Sequence, residues 1–152
     1  MSVLVDTNVL LRWTQPDHSQ YGIAVESVRR LLANGEPVYY TLQNIAEFWN
    51  VLTRPVTSNG MGVSAQVALA EVEKIERALT LLPDLPAMYG EWKRLVVQNG
   101  VQGVKVHDAR LVAAMNVHNV RRILTFDTGD FARYGVEVLQ PSSVLSQGYA
   151  PR

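Results

Sequence analysis

The sequence predicts an α/β fold in which a parallel sheet is flanked by helices. Three observations carry that prediction. Short runs rich in β-formers recur at residues 2–5, 38–41, 121–125 and 136–139. The segments between them carry apolar residues at helical spacing. The chain has 152 residues, the size of one domain, and 47% of them are apolar, enough for a core. Residues 1–152 therefore read as a single domain, with no internal repeat, low-complexity tract or linker.

The elements follow in order. Ser2-Val3-Leu4-Val5 is a short buried strand ending at Asp6, and Thr7 to Arg12 begins a short helix. Gln15-Pro16-Asp17-His18 is a loop. From about residue 19, Ile23, Val28, Leu31 and Leu32 form a helical stripe, closed at Asn34-Gly35, where Gly suits the left-handed stop. Val38-Tyr39-Tyr40-Thr41 is the second strand, and Leu42, Ile45, Trp49 and Leu52 make the next helical face, ended by Arg54-Pro55. Thr57 to Gly62 is a loop. Ser64 is the N-cap of a helix with apolar positions Val67, Val72, Ile75, Leu79 and Leu82. Pro83 and Pro86 interrupt that pattern. Met88, Trp92, Leu95 and Val96 mark another helix, closed by Asn99-Gly100. Asp108 is expected to N-cap a helix containing Leu111, Val112 and Met115, where the helix dipole favours its charged form. Arg121 to Thr125 and Val136 to Leu139 are the last strands.

Composition narrows the classes of function. The 14 basic and 14 acidic residues cancel, which argues against broad nucleic-acid binding through net charge. A local basic patch stays open, with Arg12, Arg54, Lys105, Arg110, Arg121, Arg122 and Arg133 as candidates, each singly an ordinary surface charge. No apolar stretch is long enough to span a bilayer, and the N-terminus carries no signal-peptide pattern. The absence of cysteine excludes disulfides and thiolate metal sites and fits a cytoplasmic location.

The acids carry the chemistry. Asp6 ends the run Val3-Leu4-Val5, Glu47 lies within Ile45-Ala46-Glu47-Phe48-Trp49, Asp108 precedes the apolar segment Ala109 to Met115, and Asp127 and Asp130 follow Ile123-Leu124-Thr125-Phe126. A carboxylate beside buried apolar surface is costly unless paired or bound to a cation. Taken singly, Asp6, Asp127 and Asp130 read as turn residues and Asp108 as a cap. Jointly they point to one acidic pocket at the carboxyl ends of strands, where open parallel sheets bind ligands. Such a pocket suits a hard divalent metal, which makes metal-dependent phosphoryl transfer the leading reading.

The segments Val5-Asp6-Thr7-Asn8-Val9-Leu10-Leu11, Asn44-Ile45-Ala46-Glu47-Phe48, Asp108-Ala109-Arg110-Leu111-Val112-Ala113-Ala114 and Leu124-Thr125-Phe126-Asp127-Thr128-Gly129-Asp130-Phe131 together resemble a PIN domain. In size the chain is similar to VapC-like toxins of that family. The resemblance implies a three-layer α/β/α sandwich with a central parallel sheet, Mg²⁺ or Mn²⁺ as cofactor, and RNA as substrate. It also implies a cognate antitoxin as partner and a homodimer. Carried over by motif, Asp6, Glu47, Asp108 and Asp127 form the catalytic set. Asp6, Asp108, Asp127 and, farther out, Asp130 bind metal, and Thr7, Asn8 and Thr125 support them. Asp6 and Asp108 are the direct ligands of the first ion. Asp127 reaches it directly or through water, Glu47 binds metal or accepts a proton from water, and Asp130 completes a weaker second site.

Other readings are weaker. Three histidines without HExxH or CxxC spacing disfavour zinc. His107 is read as a supporting or surface residue, and His18 and His118 as surface. Neither GxxxxGK[ST] nor GxGxxG occurs, and Asn8 stands where an aspartyl phosphatase would carry its second acid. Trp13, Trp49 and Trp92 read as core or interface, with Trp13, Tyr21, Trp49 and Met61 as candidates for a partner groove or homodimer face. The competing functions are a non-toxic RNA-processing nuclease and a non-catalytic RNA- or protein-binding module.

Overall fold

A computed structural model describes residues 1–146; the last residues of the expected domain, 147–152, lie outside it. Five parallel strands form one sheet: β1 (Val3–Val5), β2 (Val38–Thr41), β3 (Thr80–Leu82), β4 (Arg122–Leu124) and β5 (Glu137–Leu139). Their order across the sheet is β3-β2-β1-β4-β5, so β1 is central. Leu4 stands opposite Tyr39 of β2 on one side and Ile123 of β4 on the other. Alternate side chains of a strand point to opposite faces. Val3 and Val5 accordingly pack with α1 (Thr7–Arg12), α2 (Tyr21–Ala33), α3 (Leu42–Thr53), α4 (Ala65–Ala78) and α7 (Pro141–Ser146). Leu4 and Ile123 pack on the other face with α5 (Ala87–Gln98) and α6 (Val106–Val117). The result is the expected three-layer α/β/α sandwich.

Side-chain N-caps start two of the helices, that of Ser64 as expected and that of Thr41 unread in the sequence. Thr41 caps α3 through a reciprocal box with Asn44, and Ser64 caps α4 by accepting from the Val67 amide. Three expectations need correction. The helix after Ser64 does not run to Leu82: it stops at Ala78, Leu79 turns extended, and Thr80–Leu82 becomes strand β3. Leu82 is buried while Leu81 is 45% exposed, the alternation of an edge strand, which three residues before Pro83 are too few to announce. The buried face of α4 is Ala68, Val72 and Ile75, and Val67 points outward. Asp108 is not an N-cap, because the 3-10 turn Gly103–Lys105 runs straight into a helix that begins at Val106, leaving Asp108 in its first turn. Helix α7, unread in the sequence, opens on Pro141, a residue tolerated at a helix start.

Arg122 also departs from the surface patch proposed for it. It is 3% exposed, and its guanidinium lies 2.5 Å from the equally buried Glu36. It starts β4 opposite Val3, at the amino end of the sheet. No described helix is long and apolar enough to cross a membrane.

Candidate active site

The chain runs outward in opposite directions from β1, to β2 on one side and to β4 on the other. The carboxyl ends of β1 and β4 flank this switch point, the usual place for a ligand crevice in an open parallel sheet. The two ends are tied together by the Asp6 amide donating to the Leu124 carbonyl at 2.9 Å.

Asp6 sits at that junction, 9% exposed. It N-caps α1, accepting from the Thr7 amide at 2.8 Å, and accepts from the Thr125 hydroxyl at 2.8 Å. Burial nevertheless pushes its pKa up to about 7. The two donors oppose that shift, and the charges of Asp108 and Glu47 add to it.

A directed chain of hydrogen bonds holds Glu47. The Thr41 amide and hydroxyl both donate to Asn44 Oδ1 at 2.9 Å, and Asn44 Nδ2 donates to Thr7 Oγ1 at 3.0 Å. That hydroxyl then donates to Glu47 Oε1 at 3.1 Å. The chain links the end of β2, the start of α3 and the start of α1, so Glu47 is fixed although only half-buried. Its exposed neighbour Ala46 shows that this side of α3 is open.

A second network fixes the β4 end. Asn8 Nδ2 bridges Thr125 Oγ1 at 3.2 Å and Asp127 Oδ2 at 3.1 Å, while its Oδ1 accepts from the Phe126 amide at 3.3 Å. Thr125 Oγ1 also accepts from the Asp127 amide at 3.0 Å. Thr125 is fully buried and uses its hydroxyl completely, donating to Asp6 and accepting from Asn8 and Asp127.

Asp108 faces the same region from α6. Its pKa is raised to about 6, first by burial and then by Asp130, with Glu47 and Asp127 adding and Lys105 opposing. Asp130 lies in the turn Thr128–Asp130, its amide donating to the Asp127 carbonyl at 3.1 Å. Lys105 Nζ lies 2.6 Å from Asp130 Oδ1 and 3.9 Å from Asp108 Oδ2. Gln43 Nε2 donates to the His107 carbonyl at 2.7 Å and docks the start of α6 against α3.

All five predicted acids thus belong to one electrostatically coupled region, and Thr7, Asn8 and Thr125 all hydrogen-bond within it. Among the described residues, no three acidic or histidine side chains stand close enough together to hold a metal ion as they are. The donor set still fits a hard cation. Every candidate ligand is a carboxylate oxygen, and Mg²⁺ accepts a partial set because it keeps several waters. An ammonium, that of Lys105, already lies between Asp108 and Asp130. Asn44, Gln43 and Lys105 are site residues that the sequence reading missed. For Asn44 a signal was present, since Thr41 stands three residues before it in capping-box spacing. His107 contributes its carbonyl, and the residue is exposed.

The model of the PIN domain matches residues 3–137. The chain belongs to the PIN domain family. No curated protein matches this PIN domain. Solved structures share its fold at low identity. VapBC2 from Rickettsia felis, bound to a DNA fragment from its promoter, matches at TM-score 0.68 and 14% identity, covering 92% of this chain and 98% of that one. VapBC-1 from nontypeable Haemophilus influenzae matches at TM-score 0.66 and 17% identity, covering 93% and 99%. VapC20 from Mycobacterium tuberculosis, a Sarcin-Ricin loop cleaving toxin, matches at TM-score 0.63 and 21% identity, covering 90% and 98%. These likenesses extend over nearly the whole length of both partners.

Proposed function

We propose that this PIN domain is a Mg²⁺- or Mn²⁺-dependent endoribonuclease and the toxin of a toxin–antitoxin pair, working in the cytoplasm. The observation that carries the reading is Asp6. It is a buried carboxylate at the sheet's switch point, with its pKa raised to about 7 and further acids facing it from separate elements. A carboxylate so placed is costly on its own and becomes favourable when a cation shares it.

Asp6 and Asp108 would hold the ion, with Asp127 contributing directly or through water and Asp130 farther out. A bound divalent ion would lower the pKa of water and neutralise charge on phosphate oxygens. The chain's own residues do the rest. Thr7 and Thr125 fix the Asp6 carboxylate, and Asn8 sets the position of Asp127. Glu47, oriented through Asn44 and Thr7, is the proton acceptor for the attacking water. The released 3′ or 5′ oxygen takes its proton from solvent.

The partners follow from the same reading. The structural relatives include VapBC complexes, which supports an antitoxin here. An apolar groove of about 350 Å³, lined by Trp13, Tyr21, Val25, Leu32 and Ile75 and containing none of the five acids, offers room for a segment of such a partner. Trp49 and Met61, candidates for the same surface as Trp13 and Tyr21, do not line this groove; like Trp13, they pack partly buried against the core. A homodimer would bring two acidic sites into one assembly.

The test compares wild type with Asp6→Asn and Asp108→Asn on a panel of RNAs in Mn²⁺, Mg²⁺ or EDTA. Cleavage by wild type alone, abolished by EDTA, is expected. Folded but inert protein, even after refolding to strip an inhibitor, would leave the binding-module reading. Cleavage without growth arrest on expression would favour an RNA-processing role.

A further inference from the structure

We propose that Lys105 is a built-in competitor cation, whose ammonium holds the outer acids of the site until a divalent ion displaces it. This rests on the metal reading above and adds a residue that lies outside the acidic set. Lys105 ends the 3-10 turn Gly103–Lys105 and immediately precedes α6, so its backbone is anchored to the helix start that carries Asp108. Its Nζ lies 2.6 Å from Asp130 Oδ1 and 3.9 Å from Asp108 Oδ2. One ammonium therefore spans carboxylates from two elements, the turn after β4 and the first turn of α6.

An ammonium is a compact, strongly hydrated point charge with three rotatable donors. It meets carboxylate oxygens much as a hydrated ion does, with half the charge of Mg²⁺. It relieves the repulsion between Asp108 and Asp130. It is also easily released: the side chain is 47% exposed, and a surface ion pair is weak in water. A divalent ion sharing Asp108 must work against that charge, whether or not the lysine swings out. Metal affinity is therefore set by the acids minus the lysine. The side chain tunes the concentration at which the site loads.

Titration calorimetry of Mn²⁺ into the metal-free full chain, without RNA, tests this directly. Lys105→Met keeps the aliphatic stem and removes the charge, and Lys105→Arg keeps the charge. Asp6→Asn in each background identifies the heat that belongs to the site. Lys105→Met is expected to tighten Mn²⁺ binding about three- to tenfold, with Lys105→Arg staying within about twofold of wild type. Unchanged or weaker binding by Lys105→Met, with Asp6-dependent heat still present, would overturn the competitor role and leave the metal reading standing. Absence of Asp6-dependent Mn²⁺ binding in every variant would overturn both.

Discussion

Asp6 has two good donors, the Thr125 hydroxyl and the Thr7 amide, and still keeps its proton up to about pH 7. Burial outweighs both bonds, because the low-dielectric junction of β1 and β4 penalises the charged form. The sign of the consequence follows from linkage. Below the ordinary value of 3.8, folded and unfolded chains are both protonated and nothing is lost. As pH rises toward about 7, the unfolded chain releases a proton that the folded chain retains, so stability falls across that window. Asp108 adds a smaller loss with the same sign, toward about pH 6, discounted because its side chain is partly exposed to solvent. In EDTA, the melting temperature of wild type should therefore drop between about pH 4 and pH 8, by an amount equivalent to a few kcal/mol. Asp6→Asn should be less pH-dependent and more stable than wild type near pH 8, while losing the stabilisation that Mn²⁺ gives. Parallel melting curves for the two proteins across pH would remove Asp6 as the source.

At the scale of the element, helix α3 joins stability to the site. Its N-cap Thr41 is 2% exposed, and its partner Asn44 also feeds the bond to Thr7 that orients Glu47. Replacing Thr41 by Ala removes the hydroxyl half of the box, at a cost of about 1–2 kcal/mol in a denaturant titration. Asn44 loses a fixed partner at the same time, so the proposed RNA cleavage should fall by more than the small unfolded fraction explains. The comparison is with Ser64→Ala, which removes a cap of the same kind from α4, where Ser64 bonds only within its own helix. A comparable loss of stability without loss of turnover is expected there. Equal effects on turnover in the two variants would mean that the Thr41–Asn44–Thr7–Glu47 chain does not position Glu47.

For the whole molecule, the two ends of the sheet do different work. The acids gather at the carboxyl end, and the Arg122–Glu36 pair lies at the amino end, buried beside the start of β1. Arg122 also donates to the Met1 carbonyl, so it fastens the central strand from below. Removing one member of a buried pair leaves the other charged in a low-dielectric setting, which costs about 3–5 kcal/mol. Arg122→Met should lower the unfolding midpoint by that order, yet the fraction still folded should respond to Mn²⁺ as wild type does. A variant that keeps its stability would show that the N-terminal ammonium, 3.6 Å from Glu36 Oε1, is enough to offset that charge. One that loses only the Mn²⁺ response would tie the two ends together.

The sequence by itself determined the alternating fold class, strands β1, β2, β4 and β5, most helix boundaries, and every acid of the candidate site. Those features are local: a period, a capping spacing, or a carboxylate beside a run of valines and leucines can be read within a few residues. It also carried the family, because four short segments each hold an acid in the family's order. Only the tertiary structure decided what meets what. Thr7 and Glu47 are 40 residues apart and Asn8 and Asp127 are 119 apart, so no local pattern announces their bonds. Strand β3 exists because β2 offers it an edge, and its three residues say little alone. Arg122 and Lys105 look alike in the sequence as surface cations. Burial against Glu36 makes one a structural fastener, and proximity to Asp108 and Asp130 places the other's ammonium among the acids of the candidate site. The physical reason is the same throughout: charge and burial are properties of the surroundings, and the surroundings are assembled from distant parts of the chain.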